Sequence, residues 1–483
     1  MIMARNLLIS ISDLHFEEEQ TDALSPNDQF PRNIPSQAFY DLISDIRQLA
    51  QNEKIDHIDF ILAGDIFDLL RTQCWFKDQL RPYVDCRKVD AELEAKLLGI
   101  LKAIERDAGD ALNEFRKLGE SGVLQAGERE IPIALHYFPG NHDRLVDATP
   151  ALRRRARALL GLTPSDEPFA HCYSPKFPPL LIRHGHEYDA VNFAHVFGGD
   201  ELISENLPLE FYAQPVLGDF VAVQVGAGLP YCFRAAHGDD KILADVDLKA
   251  IYARLLLFDD VRPQARLLDF LLDPPSARYL SRAYSRRDWR DWLWGQLQPP
   301  LRLLLDHIHS DSFKGPVLPI WLRIVLFTRF WRVFGIPLWL AKLLSWFYGL
   351  PFRKYNPAES ALREAVLHGD EPKFLISAGH THLSQYAHID VKWREALQQR
   401  IEQFFVDTGT WRDIVLCSTT GESFATQSEM TYLTVLWSDE ENPIVQYWTG
   451  RRSNYHDEMK RVGGPHDVVR ERERKTWTSK SSS

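Results

Sequence analysis

Cysteine is scarce and unpaired by pattern in this chain: Cys74, Cys86, Cys172, Cys232 and Cys417 are odd in number, widely scattered and form no Cys-x-x-Cys. This argues against a disulfide framework and a thiolate zinc site, and for a reducing, cytoplasmic compartment. Excess positive charge is also lacking. With Lys+Arg 56 against Asp+Glu 67 the formal net charge is -11, which weighs against whole-molecule attraction to nucleic acid and leaves only local basic surfaces. No signal peptide is expected, because the apolar run Asn6 to Ser12 is too short for a secretory core and charged residues follow it. Apolar residues, in contrast, are plentiful. At 45% hydrophobic and 12% aromatic over 483 residues, the chain can bury a sizeable core and exceeds one ordinary domain.

Five short apolar, β-branched runs end in bursts of Asp, Asn, Gly and His: Leu7 to Ser12, Phe60 to Ala63, Ile133 to Phe138, Leu180 to Arg183 and Phe374 to Ala378. Each is predicted to be a buried strand that delivers polar residues at its C-terminal end, where open α/β sheets place their sites. Leu93, Leu97, Leu98, Leu101, Ile104, Leu112 and Phe115 recur at three-to-four spacing and predict a helix or helical hairpin from about Asp90 to Leu118. From Asp189 to Glu371 the pattern changes to helix-like spacing with Pro-containing breaks and dense Trp, Arg and Leu, which predicts an inserted subdomain. The expected division is 1–189 as the first part of a core with a helical excursion at about 75–130, 190–370 as an α-rich insertion, 371–450 as the second part of the core, and 451–483 as a charged tail.

The strand ends carry SDLHF (Ser12 to Phe16), GDIFD (Gly64 to Asp68), GNHD (Gly140 to Asp143), RHGHEYD (Arg183 to Asp189) and GHTH (Gly379 to His382). Asp and Asn oxygens with His nitrogens suit borderline-hard divalent cations. Alternate residues of an extended segment point to one side, so Asp13 with His15, and His380 with His382, can each reach one centre. Glycines beside them let separate loops approach closely.

In this order, D-x-H, GD-x-x-D, GNH-D, a later HG pair and GH-x-H resemble the signature of the calcineurin-like metallophosphoesterase superfamily. The resemblance covers both ends of the chain and not the insertion. It implies an α/β fold, a four-layer metallophosphoesterase sandwich of two mixed β-sheets flanked by helices, interrupted by a large α-rich insertion. It also implies two divalent metal ions, manganese first with iron or zinc as alternatives. Asp13, His15 and His382 would hold one, Asn141, His184 and His380 the other, and Asp65 would bridge them. A hydroxide between the ions would attack phosphorus in line, with His142 beside the leaving group and Asp68 orienting its ring. Asp143, His186 and Arg144 would stand behind the ligands or beside the substrate. The RHGHEYD cluster offers both His184 and His186 as the ligand, with His184 preferred.

The stretch FVDTGTWR (Phe405 to Arg412) resembles an element that follows GH-x-H in UDP-2,3-diacylglucosamine hydrolases, and this favours a phosphodiester or pyrophosphate of a small or lipid-linked substrate. SbcD/Mre11-like DNA nucleases share much of the pattern and are the alternative, against which the acidic charge balance weighs. Protein Ser/Thr phosphatases fit worse, because Leu69 stands where they carry a phosphate-gripping Arg. A noncatalytic membrane-associated scaffold is the reading from another class. Residues 315–354 contain six Lys or Arg and no Asp or Glu, and seven of the thirteen tryptophans fall between Trp289 and Trp346. This composition fits a helix lying on an anionic membrane surface and equally a buried helical hairpin.

Overall fold

The computed structural model describes residues 5–18, 32–198, 200–275, 280–310, 336–348, 356–369, 371–394, 399–420, 423–438 and 443–453. Most of 315–354, including Arg323, Arg329, Arg332, Arg353 and Lys354, lies outside these residues, as does the tail from 454. The chain is mixed α/β, built around two mixed sheets.

β1 (Arg5–Ile11), β2 (His57–Ala63) and β4 (Arg129–Phe138) run parallel, with Ile9 opposite Phe60 and Phe60 opposite Leu135. β3 (Val123–Ala126) closes one side as a hairpin with β4. On the other side lies the long antiparallel strand β12 (Phe424–Ser438), which also pairs with β11 (Asp413–Cys417) and β13 (Ile444–Ser453). β13 thus carries ordered sheet three residues into the segment expected to be tail. The eighth strand, β7 (Val261–Arg262), comes from within the insertion and pairs parallel with β11. The second sheet has the order β5 (Cys172–Tyr173), β6 (Leu180–Arg183), β8 (Leu375–Ala378), β10 (Gln399–Asp407) and β9 (Gln385–Arg394), with β6, β8 and β10 parallel.

Period-two alternation gives the strands two apolar faces. Leu7, Ile9, Ile58, Phe60 and Leu62 pack against helices α1 (Ser36–Asn52), α2 (Ala91–Ser121) and α3 (Pro150–Leu160). Their alternates Leu8 and Ile61 join Leu180, Ile182, Leu375 and Val406 in a cluster common to both sheets. Leu181, Ile376 and Phe405 turn the other way, toward Ile203, Ala358, Ala361 and Leu367. α2 starts where expected. Asp90 caps it by accepting from the Leu93 amide, and Gly122 ends it in the left-handed region.

Between Leu209 and Ser310 the described chain is mostly helical, with its own core around the fully buried Trp289, Phe233 and Phe270. Val415 of β11 belongs to this cluster and ties it to the first sheet. Leu209–His237, the described helical stretch long and apolar enough to cross a membrane, has 72% of its apolar window buried. It contains a π-helical segment, Ala222–Ala227. Helix Leu338–Tyr348 follows, with Trp339 exposed.

Candidate metal centre

The strands that run parallel in each sheet release their polar bursts at one edge, and backbone hydrogen bonds stitch the resulting loops together. Asp13 and His15 donate their amides to the Gly64 and Asp65 carbonyls at 3.1 and 2.8 Å, and Gly379 donates to the His184 carbonyl at 2.7 Å. Such approach needs glycine. A Cβ on Gly140 would collide with the Asp65 carboxylate and the His184 ring, and one on Gly379 with Ser12 and Asp13. Of the six described non-glycine residues with positive φ, five are Asp13, His15, Asp65, His380 and His382. Each such backbone costs on the order of 1–2 kcal/mol and persists only where surrounding structure enforces it.

Three groups of side chains have their ligand atoms within 4.8 Å of one another: Asp13, His15 and His382; His15, Asp65 and His142; and Asp65, His184 and His380. Asp65 Oδ2 lies 3.1 Å from His184 Nε2 and 3.7 Å from His15 Nε2. His382 Nε2 lies 3.5 Å from Asp13 Oδ1 and 2.9 Å from His15 Nε2. Asn141 Oδ1 stands 3.2 Å from His184 Nε2 and adds a fourth donor to the group of Asp65, His184 and His380.

The donor chemistry fits a cation. His184 Nδ1 faces the Ala63 carbonyl at 3.0 Å, so the neutral ring donates there and leaves a lone pair on Nε2. That lone pair converges with Asp65 Oδ2 and Asn141 Oδ1, both acceptors, and buried Asp65 Oδ2 has no hydrogen-bond partner. Likewise His15 Nδ1 faces Asp68 Oδ2 at 3.1 Å, which turns its Nε2 lone pair toward His382 Nε2. Buried acceptors facing acceptors require a positive charge between them. The electrostatics agree. Burial works to raise the Asp65 carboxyl, yet His184, His142 and His15 hold it well below the usual range. Burial works to lower His184, yet Asp65 and Asp13 push it up to about 10, so without a cation the ring itself would take up the positive charge that the acceptors call for.

Behind the ligands, Asp68 accepts from His15, from His142 Nδ1 at 3.1 Å and from Arg71 Nε. Asp143 accepts from Tyr137 Oη at 2.9 Å and from the Ile66 and Gly140 amides at 2.8 and 2.6 Å, locking the loop after β2 to the loop after β4. FVDTGTWR buttresses the first loop: Thr410 Oγ1 donates to the Asp13 carbonyl at 2.6 Å, and Thr408 Oγ1 lies 2.7 Å from Ser12 Oγ.

His186 lies outside all three groups but behind two of their members, its ring centroid 5.2 Å from that of His184 and 6.3 Å from that of His380, where a residue backing the ligands was expected; burial among Phe193 and Tyr212 lowers its pKa to about 3. The adjacent Gly185, with φ 107, sends the chain into a short helical turn directly after His184. Arg144 does not line the cleft. Its guanidinium is bound to Asp219 at 2.7 Å and to the carbonyls of Val84, Pro82 and Ala213.

An open cleft over these residues, ≈ 460 Å³ when the space that continues into solvent is counted, is lined by Asp65, Asn141, His142, His380 and His382 on one side. Val191, Asn192, Val221, Asp259, Arg262 and Gln264 form the other. Sequence reasoning missed this second wall, and also Asp189, whose Oδ2 is 3.1 Å from His380 Nε2 and 2.7 Å from Asn192 Nδ2. Asp189 ends the RHGHEYD cluster, so the acid was in view without a role. Nothing in the spacing of the insertion marks Arg262 among its many arginines. No family model, curated protein or solved structure matches the chain.

Proposed function

We propose that the chain is a two-metal phosphoesterase of the calcineurin-like type, hydrolysing a phosphodiester or pyrophosphate bond of a small or lipid-linked substrate. The observation that carries this reading is the Asp65 carboxylate, shared by the groups around His15 and His184 while its buried Oδ2 has no hydrogen bond. A four-layer sandwich is the arrangement we assign. Its support is the apolar cluster common to both sheets and the helical cover on the outer faces.

Asp13, His15 and His382 would hold one divalent ion, and Asn141, His184 and His380 the other, with manganese the ion we favour for this oxygen and imidazole set. Such ions, when bound, supply Lewis acidity toward phosphoryl oxygens and make water nucleophilic near neutral pH. His142 lines the cleft, and with Nδ1 held by Asp68 its Nε2 is the nitrogen left for the leaving oxygen. Against burial, Asp68 and Asp65 raise its pKa to about 9, and the Asp68 contact, which bound ions would leave in place, favours a protonated ring that could donate to the leaving oxygen. Val191, Val221 and Ala222 give the leaving group an apolar surface. The cysteines are all unpaired, which supports a reducing, cytoplasmic setting.

The test is hydrolysis of bis-nitrophenyl phosphate, UDP-diacylglucosamine, cyclic nucleotides and single- and double-stranded DNA, with and without manganese, beside an Asp65→Asn control. Manganese-dependent turnover that vanishes in the control supports the reading. Turnover of none of these, in a protein shown to bind no metal, would sink it.

A further inference from the structure

Arg262 arrives at the cleft on β7, the strand that the insertion contributes to the first sheet. It is only 8% exposed, and its guanidinium is held by carbonyls alone. Nε donates to Thr381 O at 3.1 Å, between the ligands His380 and His382, and Nη1 donates to Asp259 O at 2.7 Å and Val261 O at 3.2 Å. Among the described residues Nη2 makes no hydrogen bond, and no carboxylate oxygen comes within salt-bridge distance of this side chain.

Arg157 and Arg254 are also buried and donate to backbone carbonyls, but each has its guanidinium over a Phe ring and neither lines the cleft, and four other buried arginines are paired with acids. Arg71 is bound to Asp68 and Asp260, Arg144 to Asp219, Arg183 to Glu364 and Arg412 to Glu17. Arg71 follows the GD-x-x-D motif by three residues, but these acids already satisfy it. A buried cation with no carboxylate in direct contact, and only longer-range fields, chiefly of Asp259 and Asp260, to offset its burial, is costly, and a bound anion would supply the missing countercharge. The rigid fork of a guanidinium pinned on two nitrogens presents its remaining N–H groups in a fixed direction, which suits a phosphoryl oxygen. The carbonyl of Thr381 is the anchor, so this donor sits one residue from both GH-x-H histidines.

We infer that Arg262 is the anion grip of the cleft, donating to a non-bridging oxygen of the substrate phosphoryl group, so that the insertion itself recognises phosphate. This deepens the phosphoesterase reading and rests on it. Gln264 and Asn192 beside it are neutral donors, and Val191, Val221 and Ala222 are apolar. With the acid Asp259 also in this wall, the favoured substrate places a single phosphoryl group on Arg262 and an uncharged substituent beside it along the same wall.

The experiment uses the full chain loaded with manganese, with inorganic phosphate as the probe. Metal content is read by elemental analysis, phosphate affinity by calorimetry, and KM and kcat with bis-nitrophenyl phosphate. Arg262→Gln retains an amide donor for the Thr381 carbonyl but no charge. It is expected to keep the wild-type metal content, to weaken phosphate binding about tenfold or more, and to raise KM, while Arg262→Lys recovers part of the loss. Wild-type phosphate affinity in a metal-loaded Arg262→Gln protein would overturn the inference and leave the phosphoesterase reading standing. A wild-type protein that binds neither manganese nor phosphate would overturn both.

Discussion

The ligand loops and the insertion wall handle charge in opposite ways. On the ligand side, carboxylate, amide and imidazole acceptors are packed against one another with no permanent cation among them, and Asp65 Oδ2 is left without a donor. On the insertion side, Arg262 is buried with carbonyls as its only hydrogen-bond partners, and the nearby acids Asp259 and Asp260 are ion-paired with Arg71 instead. One wall is short of a cation and the other holds a guanidinium without a carboxylate of its own. A metal-bound phosphate ester would satisfy both, which is why the two walls teach more together than either does alone.

The sharpest way to break this comparison is to remove the shared acceptor. Asp65→Asn should lose bound manganese and reduce turnover by about a thousandfold or more, since several kcal/mol of charge stabilisation depends on it. Folding should survive, checked by circular dichroism beside metal analysis. A variant with near-normal rates would show that the ligand side does not work as a metal site. His142→Ala tests the same side without touching the ligands. It should keep its metal and lose on the order of 10²–10⁴ in kcat, most steeply for substrates with poor leaving groups.

The seam between the two regions can be tested through Asp260. This acid from the insertion is fully buried, with Arg71 at 3.1 Å, Arg32 at 3.6 Å and Arg412 at 3.7 Å, and Arg71 leads on to Asp68. Asp260→Asn leaves buried cations short of a countercharge and should cost about 3–5 kcal/mol of stability, read by denaturant unfolding. A change of less than about 0.5 kcal/mol would mean the seam is held by apolar packing alone.

A smaller effect is expected from His171, which stacks on Tyr212 of the insertion at 3.7 Å between ring centroids. Burial lowers its pKa to about 4, whereas in the unfolded chain an imidazole titrates near 6.5. The unfolded state therefore binds the proton first. The stability contributed by the neutral ring is complete above about pH 6.5 and is lost as pH falls toward 4, about 3 kcal/mol for a shift of this size. His171→Phe should flatten that part of the stability profile, and an unchanged acid limb would remove His171 from the account.

Much of the ligand side was legible before any coordinates. Strand-end bursts such as Ser12–His15 and Gly140–Asp143 announce themselves because a period-two apolar run must stop where polar residues begin. The choice between His184 and His186 was not legible. Both lie two residues apart in one cluster, and the turn at Gly185 sends His186 away from Asp65. Arg144 looked like a substrate contact from its place after GNHD, yet Asp219, 75 residues further on, claims it.

Local sequence determined the strands, the helix that Asp90 caps, and the residue types able to hold metal, because backbone periodicity and ligand chemistry are short-range properties. Only the tertiary structure decided which acceptors converge closely enough to hold a cation, that Asp189 and Asn192 back His380, and that one arginine of the insertion reaches the cleft without a carboxylate in direct contact. Those outcomes depend on charge balance between segments hundreds of residues apart, and a buried charge is priced by what surrounds it in space.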